Sequence, residues 1–302
     1  MISSETARRL AHEALPELDL DALEPLAGGH NSAVFASADV VVKVYSELLH
    51  WKLRKELLVY RLLAEHDAGV PVARVVHADD ERRVLVLTRL EGQLLEPLAR
   101  TLDEEQRAAI NRQVGSILAR LHAIRFDAFG YVGTDGIVEP HPTNAEYMSF
   151  QFEKKLREFR DLGGDAAIHG AISRTVEKRR RLFTGCERAV FCHNDCHSEN
   201  LLVVPSDDGW RISGLLDLEN VLAGDPLLDL AKAHCYDRRR SEQTLAALVA
   251  GYGRLRDHWR EALDLYVVYH WLELWDWFAA TGTREPLPAL EEELNRLTAK
   301  EA

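Results

Sequence analysis

Two short apolar runs in this chain each empty into an acidic turn, and that repeated arrangement restricts the fold more than any other feature. Val190-Phe191-Cys192 leads into His193-Asn194-Asp195-Cys196-His197-Ser198-Glu199-Asn200, and Leu201 to Val204 follows at once. Arg211 to Leu216 then runs into Asp217-Leu218-Glu219. Short β-branched and aromatic runs of this kind read as strands. A carboxylate at a strand end is held rigidly, yet it projects out of the sheet instead of into a core. Asp195, Asn200 and Asp217 offer a metal only oxygen donors, which is what Mg²⁺ takes, its shell completed by water and phosphate oxygens. The pattern points to metal-assisted phosphoryl transfer.

The N-terminal part supplies complementary pieces. Ala7, Leu10, Ala11 and Ala14 fall at helical spacing and predict a short amphipathic helix. Ser32 to Ser37 and Asp39 to Tyr45 predict a hairpin, and Leu53, Leu57, Tyr60 and Leu63 place a helix over 49–66. Val72 to His77 and Arg83 to Arg89 read as strands around the turn Asp79-Asp80-Glu81. Gly28-Gly29-His30-Asn31-Ser32 is a tight turn able to present backbone N–H groups to phosphate oxygens. Lys43 lies inside the apolar run Val41 to Val44, where an ammonium needs an anionic partner. Glu56 on the following helix is the candidate, and such a pair fixes the ammonium against nucleotide phosphates. No G-x-x-x-x-G-K-[ST] sequence occurs, which excludes a P-loop.

From Glu91-Gly92 onward helical periodicity dominates. Thr101 and Glu104 have the form of a capping box, opening a helix that buries Ile110, Val114, Ile117, Leu118 and Leu121. A helix-rich stretch runs from Asn144 to Glu187, and helices return after Asp225. The expected class is α+β: a sheet-bearing, nucleotide-binding part over 1–91 and a larger, mainly helical part over 92–302, which carries the catalytic loop, the metal site and the substrate-binding helices. With 46% hydrophobic and 28% charged residues in 302, the apolar surface suffices to offset the ordering entropy, so global disorder is excluded. A formal charge of -12 argues against a nucleic-acid partner. Cys186, Cys192, Cys196 and Cys235 are too sparse for a disulfide framework and read as reduced thiols. The stretch Met1 to Leu20 has no apolar centre of the secretory kind, and Ala262 to Ala280 holds Asp264, His270, Glu273 and Asp276, unlike a membrane span. A cytoplasmic protein with no membrane association and no obligate protein partner is expected. Cys192, His193, Cys196 and His197 invite a zinc reading, but neighbours on a strand project to opposite faces, which argues against it.

Gly28-Gly29 with Asn31-Ser32, Lys43, Glu56, His193-x-Asp195-x4-Asn200, Asp217-x-Glu219 and Gly224-Asp225-Pro226-x-x-Asp229-Leu230-Ala231 follow one another in a familiar order. From about Leu23 to Ala233 the chain resembles the aminoglycoside phosphotransferase family, of the wider kinase-like group with choline kinases and protein kinases. The resemblance implies a bilobal protein-kinase-like fold, ATP or GTP as donor with Mg²⁺, and transfer of the γ-phosphoryl to a hydroxyl. It implies that Asp195 accepts or orients the hydroxyl proton and that Asn200 and Asp217 hold Mg²⁺. Lys43, backed by Glu56, would bind the α/β-phosphates, with the Gly28, Gly29, Asn31 and Ser32 turn over them. Thr88 to Glu91, through Thr88 and Leu90, would offer backbone hydrogen bonds to the base. Asn194 stands where the family commonly has glycine. His193 is expected to tie down the catalytic loop, Asp229 to buttress it and Asp225 to cap the following helix.

For the acceptor, Tyr269, Glu273 and Asp276 share a helical stripe at i, i+4 and i+7. In the resembling family, acids of C-terminal helices bind the substrate's ammonium groups, so these residues and Glu219 are the candidate acceptor contacts. Trp271, Trp275 and Trp277 offer an aromatic surface as an alternative, or serve only packing. The expected reaction is O-phosphorylation of an amine-bearing compound, with an aminoglycoside or cationic peptide antibiotic leading and antibiotic resistance the consequence. A metabolic kinase of choline, homoserine or an amino sugar is the alternative, and a nucleotide-binding pseudokinase the rival from another class. The absence of Ala-Pro-Glu and Asp-Phe-Gly argues against a protein kinase.

Overall fold

The computed structural model describes residues 3–17, 19, 23–26, 32–207, 209–237 and 239–299. In chain order its elements are α1 (Ser4–Ala14), β1 (Glu24–Pro25), β2 (Ser32–Ala36), β3 (Val40–Tyr45), α2 (His50–His66), β4 (Val75–Asp79), β5 (Val84–Thr88), β6 (Gln93–Leu94) and α3 (Leu95–Ala99). Then come α4 (Glu104–Leu121), β7 (Arg125–Phe126), β8 (Phe129–Val132), β9 (Ile137–His141), α5 (Asn144–Asp161), α6 (Ala166–Arg179) and β10 (Ala189–Cys192). The chain ends with β11 (Leu201–Ser206), β12 (Gly209–Leu215), β13 (Leu222–Gly224), α7 (Pro226–Cys235), α8 (Glu242–Tyr252), α9 (Trp259–Thr281) and α10 (Leu287–Thr298). The class is α+β, as the periodicities imply. Two compact units form: Met1–Leu102 with Val132–Gly136 and Ser198–Val221, and Asp103–Tyr131 with Ile137–His197 and Leu222–Ala302.

In the first unit an antiparallel sheet runs β1-β2-β3-β5-β4. Side chains alternate across a strand, so β3 and β5 each show two faces. Val42, Val44, Val84 and Val86, with Phe35, pack against Ala7, Leu10, Ala11 and Ala14 of α1. Tyr45, Leu85 and Leu87 pack on the other face against Leu53, Leu57 and Tyr60 of α2. Lys43, one residue from Val42 and Val44, shares the α2 face with Tyr45. Each such leucine or valine stabilises the unit by roughly 1.5–3 kcal/mol through burial alone.

β4 lies later than its sequence pattern predicts. Residues ahead of it are engaged elsewhere: Val72 N donates to Val70 O at 2.9 Å, and Leu215 N donates to Pro71 O at 2.7 Å. Strands β11 and β12 form a hairpin whose free side pairs with β6, Leu202 opposite Leu94. That pairing carries the first unit past Gly92. Gly92 has φ +121, and a Cβ there would sit 2.5 Å from Ser213 Oγ and 2.8 Å from Val203 O. Only glycine meets both demands.

In the second unit β10 is buried along its whole length as an interior strand of the sheet β7-β10-β13-β8-β9. Helix α4 buries Ile110, Val114, Ile117, Leu118 and Leu121 as expected. Its capping box is Asp103 with Gln106 instead of Thr101 with Glu104. Thr101 Oγ1 is spent on Leu98 O at 2.9 Å, so the next acid in line takes the cap. Helices α4 and α8 approach through Gly115 and Gly251, where added Cβ atoms would lie 2.0 Å from Leu248 O and 1.9 Å from Arg112 O. Among the described residues no helix is long and apolar enough to cross a membrane.

Candidate active site

The first unit gathers a set of charged side chains between α2, β3 and the turn after β12. Lys43 Nζ donates to Glu56 Oε1 at 2.5 Å, and the Tyr45 hydroxyl donates to the same oxygen. Glu56 is 1% exposed, and these two donors supply its buried carboxylate with hydrogen bonds. Burial alone would lower the Lys43 pKa, but Glu56, then Asp217 and Glu219, outweigh it and raise the value above normal. Lys43 is therefore a fixed cation. Two further lysines of α2 meet the turn that follows Asp217. Lys52 Nζ lies 3.1 Å from Glu219 Oε1, and Lys55 Nζ donates to Val221 O at 3.1 Å. Lys55 is fully buried, and that burial, opposed by Glu219, takes its pKa down to about 7.

Asn200 and Asp217 leave matching ends of the β11–β12 hairpin. Leu201 pairs with Leu215, and Leu216 N donates to Asn200 O at 2.8 Å. Asp217 adopts φ +60, a left-handed conformation that costs a residue other than glycine about 1–2 kcal/mol, before a 3₁₀ turn over Leu218–Asn220. Two oxygen-bearing side chains are thus fixed on one hairpin end, a donor set that suits Mg²⁺. Ser32 opens β2 opposite Tyr45. Gly28, Gly29 and Asn31 lie outside the described residues. Thr88 is engaged within the sheet: its N–H donates to Arg74 O and its hydroxyl accepts from Arg74 N, both at 2.9 Å. Arg89 N donates to Asp39 O at 2.8 Å, and Leu90 follows it as β5 ends.

The second unit holds Asp195 on the loop after β10. Buried Asp229 accepts from the backbone N–H of His193 at 2.7 Å and of Asn194 at 2.6 Å. These bonds stabilise Asn194 at φ +62. Behind them His122 Nε2 donates to Asp229 Oδ2 at 3.0 Å, and its Nδ1 lies 3.1 Å from the Tyr252 hydroxyl. His193 Nδ1 accepts from Asp195 N at 3.2 Å. The expected roles of Asp229 as buttress and His193 as tie correspond to these contacts, and Asp225 caps α7 by accepting from Leu227 N at 3.0 Å. Asp195 Oδ1 lies 3.2 Å from His197 Nε2 and 3.9 Å from Lys232 Nζ. Burial opposes ionisation of Asp195, but the His197 hydrogen bond and the Lys232 charge hold its pKa down to about 2.

The acidic stripe of α9 is not a free anionic surface. Glu273 Oε2 is 3.1 Å from Lys232 Nζ and 3.4 Å from His270 Nδ1. Burial works against its charge, yet Lys232 and His270 hold the carboxyl far below the usual range. Tyr269 is buried and its hydroxyl donates to Gln151 Oε1 at 3.3 Å. Asp276 is 3% exposed, its oxygens lack hydrogen-bond partners, and Lys155 stands 3.9 Å away. The helix is wrapped on several sides, so spacing on its surface does not translate into exposure. Glu219 faces Lys52 instead of an open surface.

No zinc site forms among the four sequence candidates. The described cluster with metal-ligand atoms within 4.8 Å is His122, Cys192 and Asp229. His122 is already bonded to Asp229 and Tyr252, and Cys192 Sγ donates to Asp225 O at 3.4 Å. Burial pushes the Cys192 thiol well up, whereas a metal takes the thiolate. Lys52, Lys55, His122 and Lys232 escaped the sequence reading. Lys52, Lys55 and Glu56 share one face of α2 at i, i+3 and i+4, and Lys232 interrupts an apolar helix; both signals are present in the sequence.

A model of the phosphotransferase enzyme family (APH) matches residues 22–265. The N-acetylmuramate/N-acetylglucosamine kinase of Caulobacter vibrioides is 32% identical over 114 residues, 32% of this chain and 31% of that protein. A probable acyl-CoA dehydrogenase of Arabidopsis thaliana is 25% identical over 190 residues, 59% of this chain and 22% of that protein. The chain thus spans about a third and about a fifth of these relatives. Among solved structures, the gentamicin complex of APH(2″)-IIa superposes with TM-score 0.70 at 17% identity, covering 97% of this chain and 96% of the other. The ternary complex of an APH(4)-Ia mutant with AMP-PNP and hygromycin B gives TM-score 0.73 at 18% identity, covering 99% of each chain. The fold is shared with these kinases.

Proposed function

The chain belongs to the phosphotransferase enzyme family, and from that premise we propose that it is a kinase that moves the γ-phosphoryl of ATP or GTP to a hydroxyl of a small molecule. The observation that carries this reading is Lys43, held charged on β3 by Glu56, with Asp217 near enough to raise its pKa. A bond forms between the acceptor oxygen and γ-phosphorus while the bond from γ-phosphorus to the β–γ bridging oxygen breaks. The products are the phosphate ester, the nucleoside diphosphate and the hydroxyl proton. The transition state is loose, so positioning and charge neutralisation do the catalysis.

Asp195 orients the acceptor hydroxyl and takes its hydrogen bond. With a pKa near 2 it acts as a hydrogen-bond acceptor that directs the oxygen, and it takes the proton only as the new bond forms. His197 and Lys232 hold its carboxylate in place. Lys43 contacts the α/β-phosphates, Gly28, Gly29, Asn31 and Ser32 stay assigned to them from the sequence, and backbone of Thr88 and Leu90 meets the base. Asn200 and Asp217 would hold Mg²⁺, which supplies charge neutralisation on the phosphate oxygens. Nucleotide binding is assigned to 1–91, and catalysis, metal binding and acceptor binding to 92–302, in a cytoplasmic setting.

For the acceptor, an amine-bearing antibiotic draws support from relatives of this fold named for gentamicin and hygromycin B complexes, and would make the chain a resistance enzyme. A metabolic amino-sugar kinase is the second reading. It is favoured by the neutralisation of Glu273 by Lys232 and by the likeness to the Caulobacter kinase. A binding-only pseudokinase is disfavoured because Lys43, Asp195, Asn200 and Asp217 are all retained. Coupled ADP release across hydroxylated acceptors is the test. Asp195→Asn is expected to lower kcat by about 10²–10⁴-fold with nucleotide affinity kept; undiminished turnover would remove Asp195 from the reaction.

A further inference from the structure

Aromatic rings lead away from Asp195 within the second unit. His197, bonded to Asp195, lies with its ring 5.3 Å from that of Tyr236. Tyr236 in turn stacks on Trp271, centroids 6.3 Å apart and planes 16° from parallel. All three rings are partly exposed. Cations brace them: Lys232 Nζ is 4.6 Å from the Tyr236 centroid, and Arg240 is 5.4 Å from that of Trp271. Three nearby acids, Asp195, Glu273 and Glu293, already face cations. Lys232 faces both Asp195 and Glu273, and Arg240 pairs with Glu293, which Arg296 also contacts.

A polycation would need carboxylates in surplus, and each of these is already neutralised by a cation at contact distance. Aromatic planes instead bury an apolar face and keep a polar edge for hydrogen bonds. Trp271 carries a further mark. Its Nε1 is buried with no hydrogen-bond partner, whereas Trp275 Nε1 donates to Glu291 Oε1 at 3.0 Å. A buried donor left unmatched is costly, and an acceptor oxygen on a ligand would relieve it.

We infer that the phosphoryl acceptor is an uncharged sugar ring, a hexose or N-acylated hexosamine, whose C–H face stacks along Tyr236 and Trp271 with one hydroxyl at Asp195. This assignment rests on the phosphotransfer reading, with the same bond made to γ-phosphorus and the same diphosphate leaving. Glucose, N-acetylglucosamine, kanamycin and a flat phenol serve as probes, followed by ADP release and by ³¹P detection of the ester. The sugars are expected to show kcat/KM at least tenfold above kanamycin and the phenol. Trp271→Ala is expected to raise the sugar KM at least tenfold and the nucleotide KM less than twofold, with Trp271→Phe restoring most of the loss. Saturation-transfer NMR of N-acetylglucosamine on the wild-type protein should show the ring C–H protons in contact, and loss of that transfer in Tyr236→Ala, where folding is verified by circular dichroism. Preference for kanamycin or the phenol, or a sugar KM indifferent to Trp271→Ala, overturns the sugar assignment. Should no acceptor turn over while nucleotide hydrolysis still depends on Asp195, the sugar assignment falls and the phosphotransferase reading stands; should that hydrolysis be absent too, both fall.

Discussion

Lys55 Nζ donates a hydrogen bond to the carbonyl of Val221 at 3.1 Å, tethering a fully buried ammonium of α2 to backbone just beyond Asp217. With Lys52 on Glu219, helix α2 holds the 3₁₀ turn that follows Asp217 at its middle and just beyond its end. The same helix presents Glu56 to Lys43. One rigid element therefore positions Lys43 and the carboxylate-bearing turn together.

Lys55→Met keeps the volume of the side chain and removes its bond to Val221. The expected outcome is a roughly tenfold weaker affinity for the nucleotide in the presence of Mg²⁺, equal to about 1.4 kcal/mol, with a smaller change when Mg²⁺ is withheld. Calorimetric titrations with and without the metal give the comparison. An equal loss in both would show that Lys55 does not act through the Asp217 turn.

Asn194 keeps φ +62 because Asp229 accepts from its N–H and from that of His193. Its own Oδ1 is buried without a partner. Asn194→Gly is expected to stay within about 1 kcal/mol of the parent, the relief of backbone strain opposing the extra freedom of the unfolded chain. Asn194→Val should lose at least about 2 kcal/mol, since a β-branched side chain fits this conformation poorly. Denaturant unfolding measures both, and a glycine variant as unstable as the valine one would assign the Asn194 side chain a structural role.

Asp276 gives a pH signature. Burial first, with Glu158 and Glu273 adding and Lys155 opposing, raises its carboxyl pKa to about 8. The folded protein then binds a proton that the unfolded chain has released, over the window from the ordinary carboxylate value to about pH 8. Stability from this group is complete below that window and falls as pH rises through it, by up to about 1.4 kcal/mol per pH unit. Asp276→Asn should flatten the decline and raise the melting temperature at pH 8.5 relative to pH 5. Parallel curves for parent and variant would mean that Asp276 does not titrate in this range.

Much of this was legible in the sequence because it depends on short stretches of chain. The apolar run around Lys43 called for an anionic partner, the following helix offered Glu56, and the order of Asp195, Asn200 and Asp217 marked the acidic turns. The start of α4 and the span of β4 shifted by a few residues because Thr101, Val70 and Pro71 spend their hydrogen-bonding groups on other partners. Tertiary structure alone decided the character of α9. Glu273 looked like a ligand for a cation, but Lys232, 41 residues away in the chain, neutralises it, and packing hides Asp276. Periodicity is a property of one or two turns of chain. The charge left over at a site is a sum over neighbours that the chain brings back from far away, and that sum is fixed only when the chain has folded.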